Sequence, residues 1–432
     1  GKDHLGRLHG KQKPSGINKS RALLQGAALC YNPPMNDFET LRGWIQSQTR
    51  GMVELETLLT SIPAIAPESG GDGESKKCAA LKDWLLKAGF AESCFTQIDA
   101  PDSRVSSGVR PNLILTIPGK SDDFAIWVMA HMDVVPTGEL SLWESDPWKV
   151  VEKDGKLIGR GVEDNQQGLV SGIYAALACV KNGLTPEHTV KLLFMADEEF
   201  GSAYGMHYLL KEHRELFRKE DLLLIPDGGD SKGETIEVAE KNILWLRLHT
   251  VGKQSHGSMP DSGRNACLAA SDLALRLNAL ESVFDKRDSL FSPDRSTFQP
   301  TKREANVETV NIIPGDDVLY MDCRILPSYS LDQVRAEVKK CVAQVEAKHG
   351  VKIEVTELQA EQSPATPTDA PVVTRLAAAI KQAHGITART VGIGGGTVGA
   401  ALRNKGYNCA IWSTLDEVCH QPNEYCWIKN IA

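Results

Sequence analysis

Short runs of apolar residues, each stopped by polar ones, punctuate the first half of the chain. They are NLILTIPG at 112–119, FAIWVMAHMD at 124–133, VKLLFMADEE at 190–199 and LLLIPDGGD at 222–230. Unbroken runs of this length suit strands buried on both faces, as in a parallel sheet. Helical spacing lies around them. Leu55, Leu58 and Leu59 share one face ahead of the SIPAIAPESGG loop, and residues 75–88 and 168–181 form further helices. Strands alternating with helices predict an α/β domain with a mixed, mostly parallel sheet covered by helices.

Near residue 238 the period becomes two. In NILWLRLHTVG (242–252), Leu244, Leu246 and Leu248 face one way and Trp245, Arg247 and His249 the other, a strand with one wet face. A helix at 264–280, a charged loop at 281–305 and two strands, NVETVNIIP (306–314) and DVLYMDCRILP (317–327), follow. The next helix opens with a capping box between Ser330 and Gln333, repeats Val334, Val338, Val342 and Val345, and stops at Gly350 before the strand VKIEVTEL. Strand–helix–strand–strand–helix–strand is the ferredoxin-like order, and it marks an inserted α+β lid domain.

The pattern thus divides the chain into a leader (1–34), a first part of the sheet domain (35–238), the lid (239–361) and a second part of the sheet domain (362–432). The last is reached through the Pro-rich EQSPATPTDAP and holds a helix at 372–384, the GIGGGTVGAAL segment and the strand CAIW. The leader carries six Lys or Arg against one Asp. It is expected to be an added or upstream-translated segment, poorly ordered and without a part in the chemistry, with Met35 as the natural start.

Composition narrows the class. With 432 residues, 41% hydrophobic and 24% charged, the chain reads as a soluble protein of several domains. No stretch has the roughly 20 apolar residues of a membrane span, and a net charge of −8 gives nucleic-acid binding no support. Ten scattered cysteines without a C-x-x-C pair suit reduced thiols and a cytoplasmic location. Cys419 and Cys426 flank a histidine, but their spacing matches no structural zinc motif, so both are expected to be packing residues.

The chemistry gathers where strands end. In open α/β sheets, ligands bind beyond the carboxyl ends of the strands. His131 and Asp133 follow one strand, Asp197, Glu198 and Glu199 another, Asp227 a third, and His420 a fourth. Asp164 lies in the Gly-punctuated GRGVEDNQQG that opens a helix. Each alone is an ordinary loop residue; the coincidence at one edge is what carries weight. Two histidines and several carboxylates form a zinc ligand set, and a pair of cations needs a bridging carboxylate, for which Asp164 is placed. One carboxylate of Asp197–Glu199 would ligate and a neighbour serve as general base. Asp133 would hold the far nitrogen of His131.

The segments HMDVVP, GRGVEDNQQG, ADEEFGS, PDGG, GKQSHGSMP, NIIPG, DCRILP, GGGT and CHQPNEY, in this order, resemble the dizinc exopeptidase–deacylase family. That family includes acetylornithine deacetylase, succinyl-diaminopimelate desuccinylase, glutamate carboxypeptidase and carnosinase-type dipeptidases. The resemblance implies that His131, Asp164 and Asp227 hold one metal ion, and Asp164, Glu199 and His420 a second. It makes Glu198 the general base and His256, on the lid, a stabiliser of the tetrahedral oxyanion. Arg324 and Asn311 would grip the substrate carboxylate, and Gly395, Gly396 and Thr397 of the GGGT loop would line the pocket. Asp230 competes with Asp227 for its place.

The expected function is metal-dependent hydrolysis of an amide bond in a small carboxylate-bearing substrate, by water between the metals activated by Glu198. Dipeptidase or carboxypeptidase-type exopeptidase is the first choice and N-acyl amino acid deacylase the second. The metals are expected to be two zinc ions per chain, with manganese or cobalt as alternatives. A homodimer through the lid is expected, with His256 reaching the partner's site. A non-catalytic binding protein on the same fold is the rival class. GIGGGTVG lacks the last glycine and the βαβ setting of a dinucleotide loop. His207, His213, His249, His349 and His384 are expected to be surface or cap residues.

Overall fold

A computed structural model describes residues 37–432. The expectations for the leader fall outside the described residues. Eight strands form the main sheet, and four neighbours in it explain its role: His188–Met195, Ser121–His131, Leu222–Gly229 and Cys409–Ser413, side by side and all parallel. Their carboxyl ends therefore meet at one edge. Antiparallel pairing begins on either side of this block, against Val109–Ile117 and Thr235–Glu240.

The strand Ser121–His131 shows why these runs are apolar throughout. Trp127 and Met129 pack with Leu209 and Leu402 on one face. Val128 and Ala130 pack with Leu55, Leu81 and Leu177 on the other. Helices Thr49–Thr60, Ser75–Ala88 and Gln167–Lys181 cover this second face. Between Phe124 and Ala130 no position is polar; polar residues stand only at the two ends of the strand, Ser121–Asp123 and His131.

The unit expected to be a lid is a four-stranded antiparallel sheet in the spatial order Thr297–Arg303, Asp316–Ile325, Asn242–Val251, Lys352–Glu361, with helices Ala266–Asn278 and Leu331–His349 on one face. Numbered along the chain this is 4-1-3-2 from the Lys352–Glu361 edge, the ferredoxin-like arrangement. The capping box at Ser330 and Gln333 is present, and Gly350 ends the helix at φ +66°.

One strand differs from expectation. The second lid strand is Thr297–Arg303, inside the stretch read as a charged loop, while residues 306–314 contribute only Ile312–Ile313, paired with Ser255–His256. Thr297–Arg303 is an edge strand in which only Phe298 is buried, so it has no alternating apolar signature. Among the described residues no helix is long and apolar enough to cross a membrane.

Candidate metal centre

His131 ends its strand with the ring buried, and its two nitrogens have different partners. Nδ1 lies 3.0 Å from the backbone oxygen of Asp133 and 3.5 Å from that residue's Oδ1. Nε2 faces Asp164 Oδ1 at 2.9 Å and Asp227 Oδ1 at 3.7 Å. The other oxygen of Asp164, Oδ2, lies 3.1 Å from His420 Nε2, which is also 3.0 Å from Glu199 Oε2. Asp164 therefore stands between two histidines with one oxygen toward each, the geometry of a bridging carboxylate. His131, Asp164 and Asp227 bring ligand atoms within 4.8 Å of one another.

The carboxylate of Asp133 has a further task beside the one expected of it. Its closest bonds accept the backbone N–H of Glu198 and of Glu199, both at 3.0 Å, so it braces the loop after the neighbouring strand as well as backing His131. The Glu198 carboxyl has no hydrogen-bond partner among the described residues. Burial and the neighbouring Asp227, Glu199 and Asp164 push its pKa well above the usual carboxylate value, against the pull of His131.

The electrostatics test whether cations fit. Burial alone would lower the His131 imidazole, yet Asp227, Asp133 and Asp164 raise it well above its ordinary value. Hydrogen bonds donated to Asp164 and Glu199 raise His420 to about 10. Burial and Asp164 push Glu199 to about 7. Raised imidazoles and raised carboxyls in one cluster both mark an excess of crowded negative charge, which divalent cations would offset. Asn165 adds an orphan. Its Nδ2 donates to Asp227 Oδ1 at 2.6 Å, while its Oδ1, on a residue 1% exposed, has no partner. Imidazole and carboxylate are ligands of zinc, manganese and cobalt, so the residues present fit such a centre.

Three residues that the sequence reading left out hold the centre in shape. Glu424 accepts the backbone N–H of Gly161, Glu163 and Asp164 at 3.0–3.2 Å through Oε1, while Oε2 meets Arg160 Nη1 at 2.5 Å. Glu163 accepts the N–H of Asp416 at 2.7 Å and of Val418 at 2.6 Å, tying the His420 loop to the Asp164 loop. Asn165 fixes Asp227. The available signal for Glu424 was its place in CHQPNEY, one of the segments that carry the family resemblance. Asp230, the competitor of Asp227, accepts from Lys232 N, Glu234 N and Thr235 Oγ1 within its own turn.

Cys419 and Cys426, both expected to pack, have different surroundings. Cys426 is 1% exposed and belongs to the core. Cys419 instead offers its sulfur within 4.8 Å of ligand atoms of Asp164 and His420. Chain spacing could not reveal this, because Asp164 comes from a distant segment.

The remaining candidates form two further groups. His256 is exposed, with Nδ1 2.8 Å from Ser258 Oγ, and it pairs with Ile312 in a short two-stranded antiparallel ladder. Asn311 lies beside it, its backbone oxygen accepting from Gly257 N at 2.7 Å. Neither shares a hydrogen bond or ion pair with the metal-ligand cluster among the described residues. Arg324 is held by Asp322 at 2.7 and 3.1 Å and donates to Gly394 O at 2.7 Å, so it joins the lid to the GGGT loop. The Trp245 ring centroid lies 5.7 Å from its guanidinium. Thr397 caps helix Val398–Asn404 and donates to Glu240 at 2.7 Å; Gly395 and Gly396 precede it in the loop.

Residues 127–432 match the family described as Peptidase family M20/M25/M40. The chain belongs to this family. It is 38% identical over 395 residues to an uncharacterised metallohydrolase of Methanocaldococcus jannaschii, covering 88% of this chain and 96% of that one. It is 27% identical over 383 residues to a succinyl-diaminopimelate desuccinylase of Zymomonas mobilis, covering 88% and 94%. The fold is similar to that of human carnosine dipeptidase 1, with a TM-score of 0.69, 17% identity and coverage of 93% and 96%. This M20 protein is a metal-dependent hydrolase of the peptidase and deacylase type, and the resemblance read from its motifs is borne out.

Proposed function

We propose that this M20 hydrolase is an exopeptidase of the dipeptidase or carboxypeptidase type. It would cleave the amide bond of a small substrate that carries a free carboxylate. The observation that carries the reading is the two-sided Asp164, with a histidine on each oxygen, next to the half-buried carboxyl of Glu198, unpaired among the described residues. His131, Asp164 and Asp227 would hold one divalent ion and Asp164, Glu199 and His420 another, most simply zinc, with manganese or cobalt as substitutes. Bound there, such ions supply Lewis acidity toward the scissile carbonyl and a lowered pKa for water.

The protein's own part follows from placement. Glu198, with its raised proton affinity, takes the proton of the attacking water and returns it to the leaving amine. Asp133 fixes both His131 and the Glu198 loop, so the base and the histidine keep one geometry. His256 and Asn311 sit together on the lid and would meet the oxyanion and the substrate carboxylate. Arg324, joined by Trp245 and the GGGT loop (Gly395, Gly396, Thr397), would bind that carboxylate through two parallel hydrogen bonds. This requires Arg324 to exchange Asp322 or Gly394 for the substrate.

His256 shares no hydrogen bond or ion pair with the cluster among the described residues, which supports a homodimer in which it reaches the partner's site. Leu268 and Leu275, 57% and 73% exposed and seven residues apart on one lid helix, offer an apolar stripe for such pairing. Light scattering at micromolar concentration giving only monomer would remove the in-trans role. Nine unpaired cysteines among the described residues suit a cytoplasmic location.

Deacylation of an N-acyl amino acid is the second reading, favoured by the likeness to a desuccinylase. A panel of dipeptides and N-acetyl and N-succinyl amino acids separates the two. Faster release of free amino acid from dipeptides supports the first; a preference for N-acyl substrates replaces it with the second.

A further inference from the structure

We infer that Cys419 is a sulfur ligand on the His420 side of the metal centre, an inference that rests on the reading of that centre as metal-binding. Asp164, Cys419 and His420 each offer one ligand atom, all within 4.8 Å of one another. Ligands around one tetrahedral zinc stand roughly 3.3–3.6 Å apart, from bond lengths of about 2.0–2.3 Å. The group therefore has to contract by at most about 1.5 Å to close on an ion of that size.

Adjacent residues in an extended chain point to opposite sides, so Cys419 and His420 should diverge. The backbone prevents this: His420 has φ +63° and Glu417 φ +57°, which breaks the alternation on both sides of the cysteine. Glu163 then pins this bent loop to the Asp164 loop through two short bonds, to Asp416 N and Val418 N. The sulfur is thus held beside Asp164 by the same residue that holds the histidine. It forms no disulfide and is only partly buried.

The consequence is chemical. A site of imidazole and carboxylate alone already binds zinc more tightly than manganese, and a thiolate widens that gap toward the softer ions. Binding would release the thiol proton and make the His420 side prefer zinc or cobalt over manganese. The His131 side, with Asp164 and Asp227, lacks sulfur and stays more permissive.

Cobalt tests this without relying on turnover. The metal-stripped full chain is titrated with cobalt(II) while bound cobalt and the near-ultraviolet spectrum are followed. A thiolate-to-cobalt charge-transfer band that is present in the wild type and absent in C419S, with cobalt still bound to both, is the expected result. Cobalt bound without that band, or a band that survives in C419S, overturns the sulfur ligand and leaves the metal centre standing. Failure of the wild type to bind cobalt overturns the metal reading itself and the inference with it. If C419S does not fold, X-ray absorption of the zinc-loaded wild type decides: a sulfur scatterer at about 2.3 Å is expected, and a shell of nitrogen and oxygen alone refutes it.

Discussion

Replacing Glu424 with Gln removes one charge and no volume, yet it should cost both stability and metal binding. The carboxylate is 1% exposed and receives three backbone N–H groups from the Asp164 loop as well as Arg160 Nη1 at 2.5 Å. A glutamine can keep its oxygen on the three N–H groups, but its NH2 then faces the guanidinium, donor against donor. Breaking a buried pair in this way costs about 3–5 kcal/mol. Turning the amide over saves the Arg160 contact and leaves the backbone donors unmet, at about 1–3 kcal/mol for each buried group. Urea unfolding of metal-stripped wild type and E424Q measures the loss without the stabilisation that bound metal adds. Asp164 takes its backbone position from these bonds, so zinc affinity should fall by roughly 10- to 100-fold, as for other groups that orient ligands. R160L/E424L serves as a control. It should regain part of the stability, since no charge is stranded, but not the zinc affinity. Wild-type stability together with wild-type zinc affinity in E424Q would refute the argument that Glu424 positions the Asp164 loop.

Glu198→Ala should retain metal content and lower kcat by about 10²–10⁴-fold, a general base's share; loss of metal instead would show that Glu198 and Glu199 had been assigned the wrong way round. Arg324→Lys keeps the charge but not the two-pronged geometry, so KM should rise by roughly ten- to hundredfold, about 1.5–3 kcal/mol, with kcat nearly unchanged in steady-state assays. His249, whose ring nitrogen lies 2.6 Å from Asp316, is raised above its ordinary value by that bond. A raised imidazole stabilises the fold below its unfolded pKa of about 6.5 and loses that contribution as pH rises through the folded value, so D316N should flatten the pH dependence of the urea midpoint above about 6.5. The pair is partly exposed and worth at most about 1 kcal/mol, so a larger effect would point to some other group.

The readable part of this protein was the part governed by burial. Runs such as 124–130 are apolar because both faces of the strand are covered, and the first polar residues beyond them mark where the layers end. That logic found His131, Asp227 and the Asp197–Glu199 group at one edge. It could not find Thr297–Arg303, an edge strand with a single buried side chain. Nor could it assign Glu163 and Glu424, which act on the backbone of other segments and leave no periodic trace. Cys419 was set aside on spacing along the chain, whereas its neighbours are set by the bent His420 loop. The use of Asp133 was half legible: a carboxylate behind His131 could be foreseen, but its hold on Glu198 and Glu199 depends on the neighbouring strand.

The central claim is that Asp164 is shared by two metal ions and that the chemistry needs them. The most direct measurement is metal content per chain before and after chelation, with amide hydrolysis assayed on the same samples. The account predicts two divalent ions per chain, activity lost on their removal, and activity restored by zinc. A chain that takes up no metal and stays inactive after zinc or manganese is supplied would contradict it and leave a binding protein on a hydrolase fold.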